Sequence, residues 1–435
     1  MSEVADRLKA FIDYGATLKG DEKGEAQVFL DRLFIGFGHA GYKEAGATLE
    51  DRIKKDGKKG TVFPDLVWKP RVLIEMKKRG EKLHLHYQQA FDYWLHAVPK
   101  RLDQNAEHGG CYQGQTHGHD GFLLEPTEAK ALIKKEPQYS HVIWPFLIAD
   151  DLIGEINSKP SRYVIDFHPR DQLEAQRFKT AYNRVKAKVL PDRQEAADEE
   201  EKRNRPLLKA NPEAHVNVHH ANFLKRWWLM SYPRADMIEA ISKFKRYLVC
   251  GQVTKRPIFD FVSIKIRPNA ALNVFAHDDD YSFGILQSGI HWLWFTERCS
   301  TLTERPRYTS NTVFDSFPWP QAPTGKAIRK VADAGNAFRK LRSDQRAKHN
   351  ISFRDLYRVL DNPGDHPLMK TQEKLDEAVR CAYGMAASAD PLTFLLDLNL
   401  KLAEKEAAGE SIVGPGLPAS VKDRKSFVTK DCVTP

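Results

Sequence analysis

Residues 64–77 read PDLVWKPRVLIEMK and determine how the N-terminal part of the chain is expected to fold. Two stretches within and beside it, residues 62–68 and 71–77, are rich in Val, Leu, Ile and Trp, and Lys69-Pro70 separates them where a turn is needed. The pattern predicts a β-hairpin with a two-residue loop. Because side chains alternate between the two faces of a strand, Glu75 and Lys77 project from the same face.

The hairpin places residues of opposite charge where they can act together, since Asp65 can reach the face of Glu75 and Lys77 from across the turn. An aspartate followed by a Glu-x-Lys triplet is the spacing used by a large class of magnesium-dependent nucleases. Asp65 and Glu75 are candidate oxygen ligands for Mg²⁺, which polarises a phosphate and lowers the pKa of a bound water. Lys77 can orient that water or stabilise developing negative charge, so Asp65, Glu75 and Lys77 are the candidate catalytic residues. An ordinary amphipathic hairpin with surface charges is the alternative.

The flanking sequence favours helices on both sides of the hairpin. Apolar residues recur every three to four positions in residues 24–38 and 83–98, so the predicted order is helix, two strands, helix. Glu25 on the first helix could add a third carboxylate to the metal site. Gln89 and Tyr93 lie four residues apart on the second helix and are candidate supporting residues.

Composition limits the class of protein. A chain of 435 residues predicts two or three domains, and five cysteines without a Cys-x-x-Cys pair favour a reducing compartment. The first residues are too polar for a signal peptide, and no apolar run has the length of a membrane span. We therefore expect a cytoplasmic protein without membrane contact. The histidines lack the spacing of a zinc site.

The net charge of +9 is concentrated in one region. Between Arg203 and Arg267 there are 13 Lys and Arg residues against four acidic ones, with eight aromatic residues interleaved. This mixture suits phosphate contacts and base stacking. A solvated basic face over an aromatic core explains the composition equally well.

Two groups within and beyond this region are candidate DNA contacts. Lys255 and Arg256 precede the apolar run of residues 258–266, and Lys265 and Arg267 close it, which predicts a strand with basic ends. Basic side chains can contact phosphates or the guanine edge, so these four are the first group. Each cation could equally be an ordinary surface charge. The second group is predicted around a loop and contains Arg298, Arg305, Arg307 and Tyr308.

The predicted fold class is multidomain α/β and α+β. Residues 198–205 within a charged helical stretch are expected to form a solvated turn, and residues 278–280 an acidic turn. Gly36, Gly38 and Gly41 match a nucleotide-binding pattern but follow an amphipathic helix, so we expect them to end that helix. The predicted domains are an α/β nuclease-like unit (1–102), a polar linker (103–121), an α+β DNA target-recognition domain (122–322), a helical C-terminal domain (323–404) and a frayed polar tail (405–435).

Several long strings resemble one known family. WWLMSYPRADMIEAISKFKRYLV (227–249), FAHDDDYSFGILQSGIHWLWF (275–295) and RYTSNTVFDSFPWP (307–320) resemble the target-recognition domain of MmeI-like type IIG (IIL) restriction-modification enzymes. YQGQTHGHDGFLL (112–124) resembles the entry into that domain. FLDRLFIGFGHAGYKEAG (29–46) and the stretch at residues 64–77 resemble the nuclease domain of the same family. The resemblance covers nearly all of residues 20–415 and implies double-stranded DNA as the partner.

This chain departs from the family pattern at one point. In the family, an adenine-specific methyltransferase domain lies between the nuclease and recognition domains, with an Asn-Pro-Pro-aromatic motif. Here Asn211-Pro212 and Asn362-Pro363 are not followed by that motif, so we expect the methyltransferase domain to be missing and S-adenosylmethionine not to bind. A further strand of the nuclease sheet is also expected to be missing, since residues 103–115 are too polar to form it.

The sequence therefore predicts a DNA-binding protein of a restriction-modification or phage-defence system with a candidate Mg²⁺-dependent endonuclease site. A non-catalytic specificity module, with a separate methyltransferase as partner, is the alternative, as is a decayed remnant of a bifunctional enzyme.

Overall fold

The computed structural model describes ten segments of the chain. They are residues 3–19, 22–50, 53–54, 61–62, 64–68, 72–87, 90, 99–302, 305–359 and 365–435. The chain divides into two compact units. The first unit contains Met1–Asn105, Asn311–Pro318 and Ser388–Ile412, and the second contains Ala106–Ser310, Trp319–Ala387 and Val413–Pro435.

The first unit contains a small sheet beside two N-terminal helices. Helix α2 ends at Gly36, and Gly38 follows at φ 93°, a backbone conformation that favours glycine, so this glycine pattern ends a helix as expected. The buried face of α2 carries Leu30 and Phe34, which pack with Leu66. The elements are α1 (Glu3–Thr17), α2 (Glu22–Gly36), β1 (Thr48–Leu49), β2 (Ile53–Lys54), β3 (Thr61–Val62), β4 (Leu66–Trp68) and β5 (Val72–Ile74).

The predicted hairpin is present as the antiparallel pair β4–β5. Leu66 pairs with Ile74 and Trp68 with Val72, while the turn at residues 69–71 lies outside the described residues. Strand β1 pairs with the other edge of β4, which makes β4 the central strand, and β2 pairs with β3. The unit thus contains more strands than the predicted pair. Of the predicted second helix, the structure describes a short 3-10 helix, Leu83–Leu85, and residues 86, 87 and 90.

The second unit contains two four-stranded sheets and a hairpin. The strands are β6 (Cys111–Gln113), β7 (Leu123–Leu124), β8 (Ile143–Leu147), β9 (Arg162–Ile165), β10 (Arg246–Gly251), β11 (Asp260–Ser263), β12 (Arg267–Pro268), β13 (Leu272–Phe275), β14 (Ser300–Leu302) and β15 (Arg305–Arg307). The first sheet has the strand order β11-β10-β13-β6, and the second has the order β12-β8-β9-β7.

The two sheets have apolar cores of their own. Val249, Val262 and Val274 are buried in the core of the first sheet, and Phe146 and Val164 in that of the second. All six residues of β10 are buried, as expected for a central strand with both faces covered. This buried sheet provides a rigid base for the loops that leave its ends.

Residues 323–404, predicted as a helical domain, contain four described helices, and further helices lie earlier in the chain. No described helix is long and apolar enough to cross a membrane. The helices from residue 103 onward are α3 (Asp103–His108), α4 (Pro126–Lys135), α5 (Ala149–Gly154), α6 (Gln172–Gln176), α7 (Lys179–Ala210), α8 (His219–Lys225), α9 (Ala235–Ser242), α10 (Asp280–Gln287), α11 (Gly289–Arg298), α12 (Gly325–His349), α13 (Phe353–Arg358), α14 (Pro367–Tyr383) and α15 (Pro391–Ala407).

Several sequence expectations differ from the structure. Residues 103–121, predicted as a linker, contain helix α3 and strand β6, because β6 pairs with β13 despite its polar surroundings. The predicted turn at residues 198–205 lies inside α7. The units also divide differently from the predicted domains, since Asn311–Pro318 and Ser388–Ile412 belong to the first unit.

The predicted acidic turn belongs to the second unit, as do residues 413–435 of the predicted frayed tail. Asp279 caps α10 by accepting a hydrogen bond from the Ser282 backbone, and Asp280 is 3% exposed. The C-terminal tail lies along the edge strand β11, where the backbone of Val433 exchanges hydrogen bonds of 2.8 and 2.9 Å with the backbones of Phe261 and Ser263. Composition did not reveal the tail contacts because Val433 lies far from β11 in sequence.

Candidate functional site

The β4–β5 register brings the predicted catalytic residues together in the first unit. Because Leu66 pairs with Ile74, Asp65 lies opposite Glu75, one residue further from the turn. Asp65 Oδ2 accepts a hydrogen bond from the backbone N–H of Met76 at 2.5 Å, and Lys77 Nζ donates to Glu75 Oε1 at 2.7 Å. The side chains of Lys77 and Glu75 are only 12% and 9% exposed. Two acids and one lysine therefore meet at one end of the hairpin.

The charge state of Glu75 reflects these surroundings. Burial raises the pKa of the Glu75 carboxyl above its ordinary value, the hydrogen bond from Lys77 lowers it, and the negative charge of Asp65 raises it again. The net effect is a raised pKa. Lys77 thus compensates in part for two neighbouring acids in a partly desolvated position.

Glu25 faces the same region from helix α2. A cleft of about 260 Å³ is lined by Glu25, Met76 and Lys77, and Glu25 Oε1 accepts a hydrogen bond from the Lys19 backbone at 2.9 Å. Glu25 therefore lies near Lys77, and its role as a third carboxylate of the metal site stays a prediction. The candidate supporting residues Gln89 and Tyr93 lie outside the described residues.

The donor set allows a test of fit for a magnesium ion. Within the described segments, no group of three or more His, Cys, Asp or Glu side chains is arranged to hold a metal ion. Mg²⁺ commonly takes one or two carboxylates and keeps several waters, so the facing pair Asp65 and Glu75 is a sufficient protein contribution. Glu25 lines a cleft with Lys77 rather than with this acid pair.

A basic surface forms in the second unit from two predicted groups. The loop of residues 252–256 runs beside β15, because the Tyr308 N–H donates to Gln252 O at 2.8 Å and the Thr254 N–H donates to Pro306 O at 3.0 Å. Lys255 and Arg256 directly follow this paired segment, and Arg305 and Arg307 lie on its partner strand β15. We call the four cations the basic surface, and they are Lys255, Arg256, Arg305 and Arg307.

An aromatic residue supports this surface. The guanidinium of Arg256 lies 4.2 Å from the centre of the Trp292 ring, and Trp292 Nε1 donates to Lys255 O at 3.3 Å. A cation over an aromatic face is attracted by the ring and held in a restricted orientation. Trp292 on α11 was not a candidate, since its role depends on a contact with a loop 36 positions earlier in the chain.

The other four candidates do not belong to the basic surface. Arg267 has an 11% exposed side chain that lies 3.9 Å from the Trp144 ring centre and 3.9 Å from Asp166. Lys265 is exposed and follows strand β11. The end of β11 pairs with Arg246 at the start of β10, whereas the loop of the basic surface leaves the other end of β10. Lys265 and the basic surface therefore lie at opposite ends of the sheet. Strand β11 therefore has basic residues beyond both of its ends, as predicted, but Arg267 is enclosed, and DNA contact by Lys265 stays a prediction.

Arg298 and Tyr308 are buried, so their prediction as surface contacts is wrong. Arg298 is 4% exposed, and Tyr308 is fully buried with its hydroxyl 3.1 Å from His291 Nε2. Tyr308 also stacks on Phe295. The Tyr308 hydroxyl has a hydrogen-bond partner inside the core, so the residue is structural although it was grouped with three arginines.

Sequence reasoning also missed the polar partners of the arginines. Gln252 Oε1 accepts a hydrogen bond from Arg307 Nη2 at 3.0 Å, and Gln113 Oε1 accepts one from Arg234 Nη2 at 2.6 Å. The members of each pair lie 55 and 121 positions apart in the chain. No local pattern could have paired them.

Comparisons with known proteins identify the family. A model of the MmeI target recognition domain matches residues 96–321, which are 226 of the 435 residues, and a model of the MmeI N-terminal domain matches residues 3–151. No curated protein matches the chain.

Solved structures with a similar fold include one of a restriction-modification enzyme. It is the type IIL restriction-modification enzyme MmeI in complex with DNA, with a TM-score of 0.51 and 22% sequence identity. The match covers 68% of this chain and 36% of the MmeI chain, so this protein spans about a third of the length of that relative. Since the target recognition model covers more than half of the chain, the protein belongs to the MmeI family.

Proposed function

We propose that this protein binds double-stranded DNA in a sequence-specific way, as a component of a restriction-modification or phage-defence system. The observation that carries the proposal is the basic surface, where two sequence groups about fifty positions apart meet beside Trp292. Arginine and lysine hold the phosphate backbone, and arginine can also read the guanine edge in the major groove. The related MmeI structure was solved with DNA, which is consistent with this role.

The geometry of the basic surface separates two roles. Lys255 and Arg305 are exposed and carry mobile charges suited to phosphate contacts. Arg307 is held by Gln252, and Arg256 is held over Trp292, so each has a restricted orientation. Restricted guanidinium groups are suited to bidentate contacts with a base edge, because less conformational entropy is lost on binding.

The second part of the proposal is Mg²⁺-dependent hydrolysis of phosphodiester bonds in the first unit. Its support is the hairpin register that places Asp65 opposite Glu75, with Lys77 hydrogen-bonded to Glu75. Asp65 and Glu75 would hold Mg²⁺, which supplies charge stabilisation and an acidified water when bound. Lys77 would stabilise the negative charge that develops on the phosphate, and Glu25 would orient water in the shared cleft.

A binding experiment tests the first part. The full chain is incubated with a pool of randomised 30-base-pair duplexes, and the selected sequence is then bound at several salt concentrations. Alanine at all four positions of the basic surface should remove selection and make log Kobs less dependent on log salt, by about 0.9 for each phosphate that is no longer neutralised. The matched control replaces four exposed cations elsewhere in the same unit, namely Lys134, Lys135, Lys202 and Arg203. An unchanged selected sequence in the basic-surface variant would contradict the proposal.

A nicking experiment tests the second part. Supercoiled plasmid carrying the selected sequence is incubated with Mg²⁺ and either the wild type or Asp65→Ala. Loss of nicking in the variant supports the nuclease, whereas equal nicking in both, or none in either, refutes it. Selective binding without nicking would favour the alternative, a non-catalytic specificity module that works with a separate methyltransferase or nuclease, and co-purification with such a partner would establish it.

A further inference from the structure

In the first sheet of the second unit, three strands have termini at the same end of the sheet. Gly251 at the end of β10 pairs with Leu272 at the start of β13, and Gln113 at the end of β6 pairs with Asn273. Both pairings are antiparallel, so β6 and β10 end on the same side, with β13 between them. Adjacent strands are about 4.8 Å apart, which separates the ends of β6 and β10 by roughly 10 Å.

The turn that precedes β13 links these two ends. Gln113 Nε2 donates to Ala270 O at 3.1 Å, and the Gln252 N–H donates to Ala271 O at 2.8 Å. The consecutive carbonyls of Ala270 and Ala271 therefore hold one glutamine on each side. The turn fixes both glutamines relative to one another.

Each of these glutamines holds an arginine. Gln252 Oε1 accepts from Arg307, which belongs to the basic surface, and Gln113 Oε1 accepts from Arg234 at 2.6 Å. The side-chain amide of Gln113 is held in one orientation, because its nitrogen donates to Ala270 and its oxygen accepts from Arg234. Two Gln–Arg pairs thus flank a single turn at one end of the sheet.

The backbone at Arg234 supports a role beyond packing. Arg234 has φ 55° and ψ 60°, a left-handed conformation that is unfavourable for any residue with a β-carbon. Its guanidinium lies 5.3 Å from the ring centre of Tyr232, which is 42% exposed. A strained backbone that presents a side chain held on two sides is typical of functional positions.

From this arrangement we infer that Arg234 is a further base-reading residue, with Gln113 as its positioning residue. The ligand it fits is the O6/N7 edge of a guanine in the major groove of duplex DNA, which two guanidinium N–H groups can contact at once. Arg234 and Arg307 would read different base pairs, since their glutamines are about 10 Å apart and successive base pairs rise by about 3.4 Å. The inference rests on the proposed DNA binding and adds a specificity-determining residue to it.

The decisive variant is Arg234→Gly. Glycine adopts the left-handed conformation without strain, so the variant should fold with a melting temperature equal to or above that of the wild type. Selection from the randomised duplex pool should show that preference at one base pair is lost by about 5- to 100-fold, while the salt dependence and the preference at other positions stay unchanged. Arg354→Ala, which removes an equally charged but exposed side chain elsewhere in the unit, is the matched control.

A second variant tests the positioning role without changing charge. Gln113→Leu keeps the size of the side chain but removes the acceptor for Arg234, and it should weaken preference at the same base pair while the salt dependence is retained. Gln113→Glu keeps an acceptor oxygen and should restore part of that preference. If Gln113 were only structural, the substitution would lower the melting temperature without a loss of preference confined to one base pair.

Other outcomes overturn the inference in distinguishable ways. Unchanged base preference in Arg234→Gly refutes it while leaving the proposed DNA binding intact. Equal weakening on all sequences with a shallower salt dependence assigns Arg234 to the phosphate backbone and also refutes it. If the wild type itself selects no sequence from the pool, the proposed function fails, and the inference fails with it.

Discussion

The hairpin of Asp65, Glu75 and Lys77 and the basic surface differ in how the chain assembles them. The three hairpin residues come from one short segment, and the register of a single strand pair brings them together. The basic surface combines a loop after β10 with strand β15, and Gln113 and Arg234 join its edge from still further away. The first site depends on local structure, whereas the second requires the whole fold of its unit.

This difference predicts how each site responds to damage. A change inside the hairpin should affect chemistry without affecting DNA recognition. A change deep in the second unit should remove the recognition surface even though it touches none of its residues.

The largest effect is expected at Asp280. Its Oδ1 atom accepts hydrogen bonds from Arg246 at 2.9 Å, Arg339 at 2.8 Å and Thr429 at 3.0 Å, and the residue is 3% exposed. Asp280→Ala would remove the buried carboxylate that two buried guanidinium groups share and leave them with Asp431, whose side chain is 57% exposed. Loss of one partner of a buried charge pair costs about 3–5 kcal/mol, so DNA binding and stability should fall together.

Chemical denaturation followed by circular dichroism measures this effect, with selection from the duplex pool as the functional readout. Asp344→Ala is the control, because Asp344 is an exposed carboxylate on α12, the helix that carries Arg339. A loss of stability below about 1 kcal/mol in Asp280→Ala would show that the network is not required for the recognition surface.

The next largest effect is expected at Lys77. If Lys77 stabilises charge on the phosphate, Lys77→Ala should slow Mg²⁺-dependent nicking by about 100-fold, the usual effect of removing one group that stabilises the transition state. Affinity for the selected duplex should stay within about twofold, because the basic surface is in the other unit. Lys78→Ala, at the exposed neighbouring lysine, is the control and should nick at the rate of the wild type. An equal loss in both variants would assign the effect to general charge.

The two sites also show what the sequence could predict. Alternation of apolar residues around Lys69-Pro70 predicted the pairing of β4 with β5 and the approach of Asp65 to Glu75, and the structure has both. Helical periodicity likewise predicted α12 to α15. These successes rest on contacts between residues close in sequence.

The failures have the opposite origin. Basic composition could not separate exposed Lys255 from Arg267, which is enclosed by Trp144 and Asp166, because the two differ only in tertiary surroundings. Tyr308 stands beside Arg307 in sequence, yet successive residues of an extended segment point in opposite directions. The pairing of Gln113 with Arg234 spans 121 positions and leaves no periodic signal.

A smaller effect is expected from Asp315 in the first unit. Burial raises the pKa of Asp315 to about 6 from 3.8, opposed by Arg101, whose Nε lies 3.5 Å away. Because the folded state holds this proton more tightly than the unfolded state, the associated stability is fully present below about pH 4 and is lost as the pH rises through 6. The contribution to the difference between pH 5 and pH 7.5 is on the order of 1 kcal/mol.

Asp315→Asn isolates this contribution, since asparagine does not titrate. Urea unfolding of both proteins at pH 5 and pH 7.5 should show a smaller decrease in stability for the variant. A pH dependence identical to that of the wild type would mean that Asp315 titrates in the same way when folded and unfolded. DNA selection by the second unit should be unchanged, which extends the comparison between the two units.

The smallest effect tests the basic surface itself with a matched pair of lysines. Lys255 and Lys265 are both exposed and lie at opposite ends of the same sheet, separated by the length of β10. Lys255→Ala should weaken binding of the selected duplex about threefold and make log Kobs less dependent on log salt by about 0.9, as expected for one phosphate contact. Lys265→Ala should change neither quantity, although the sequence places both lysines at the ends of one predicted basic strand. Equal effects of the two substitutions would mean that DNA affinity depends on the overall charge of the unit and not on contacts at the basic surface.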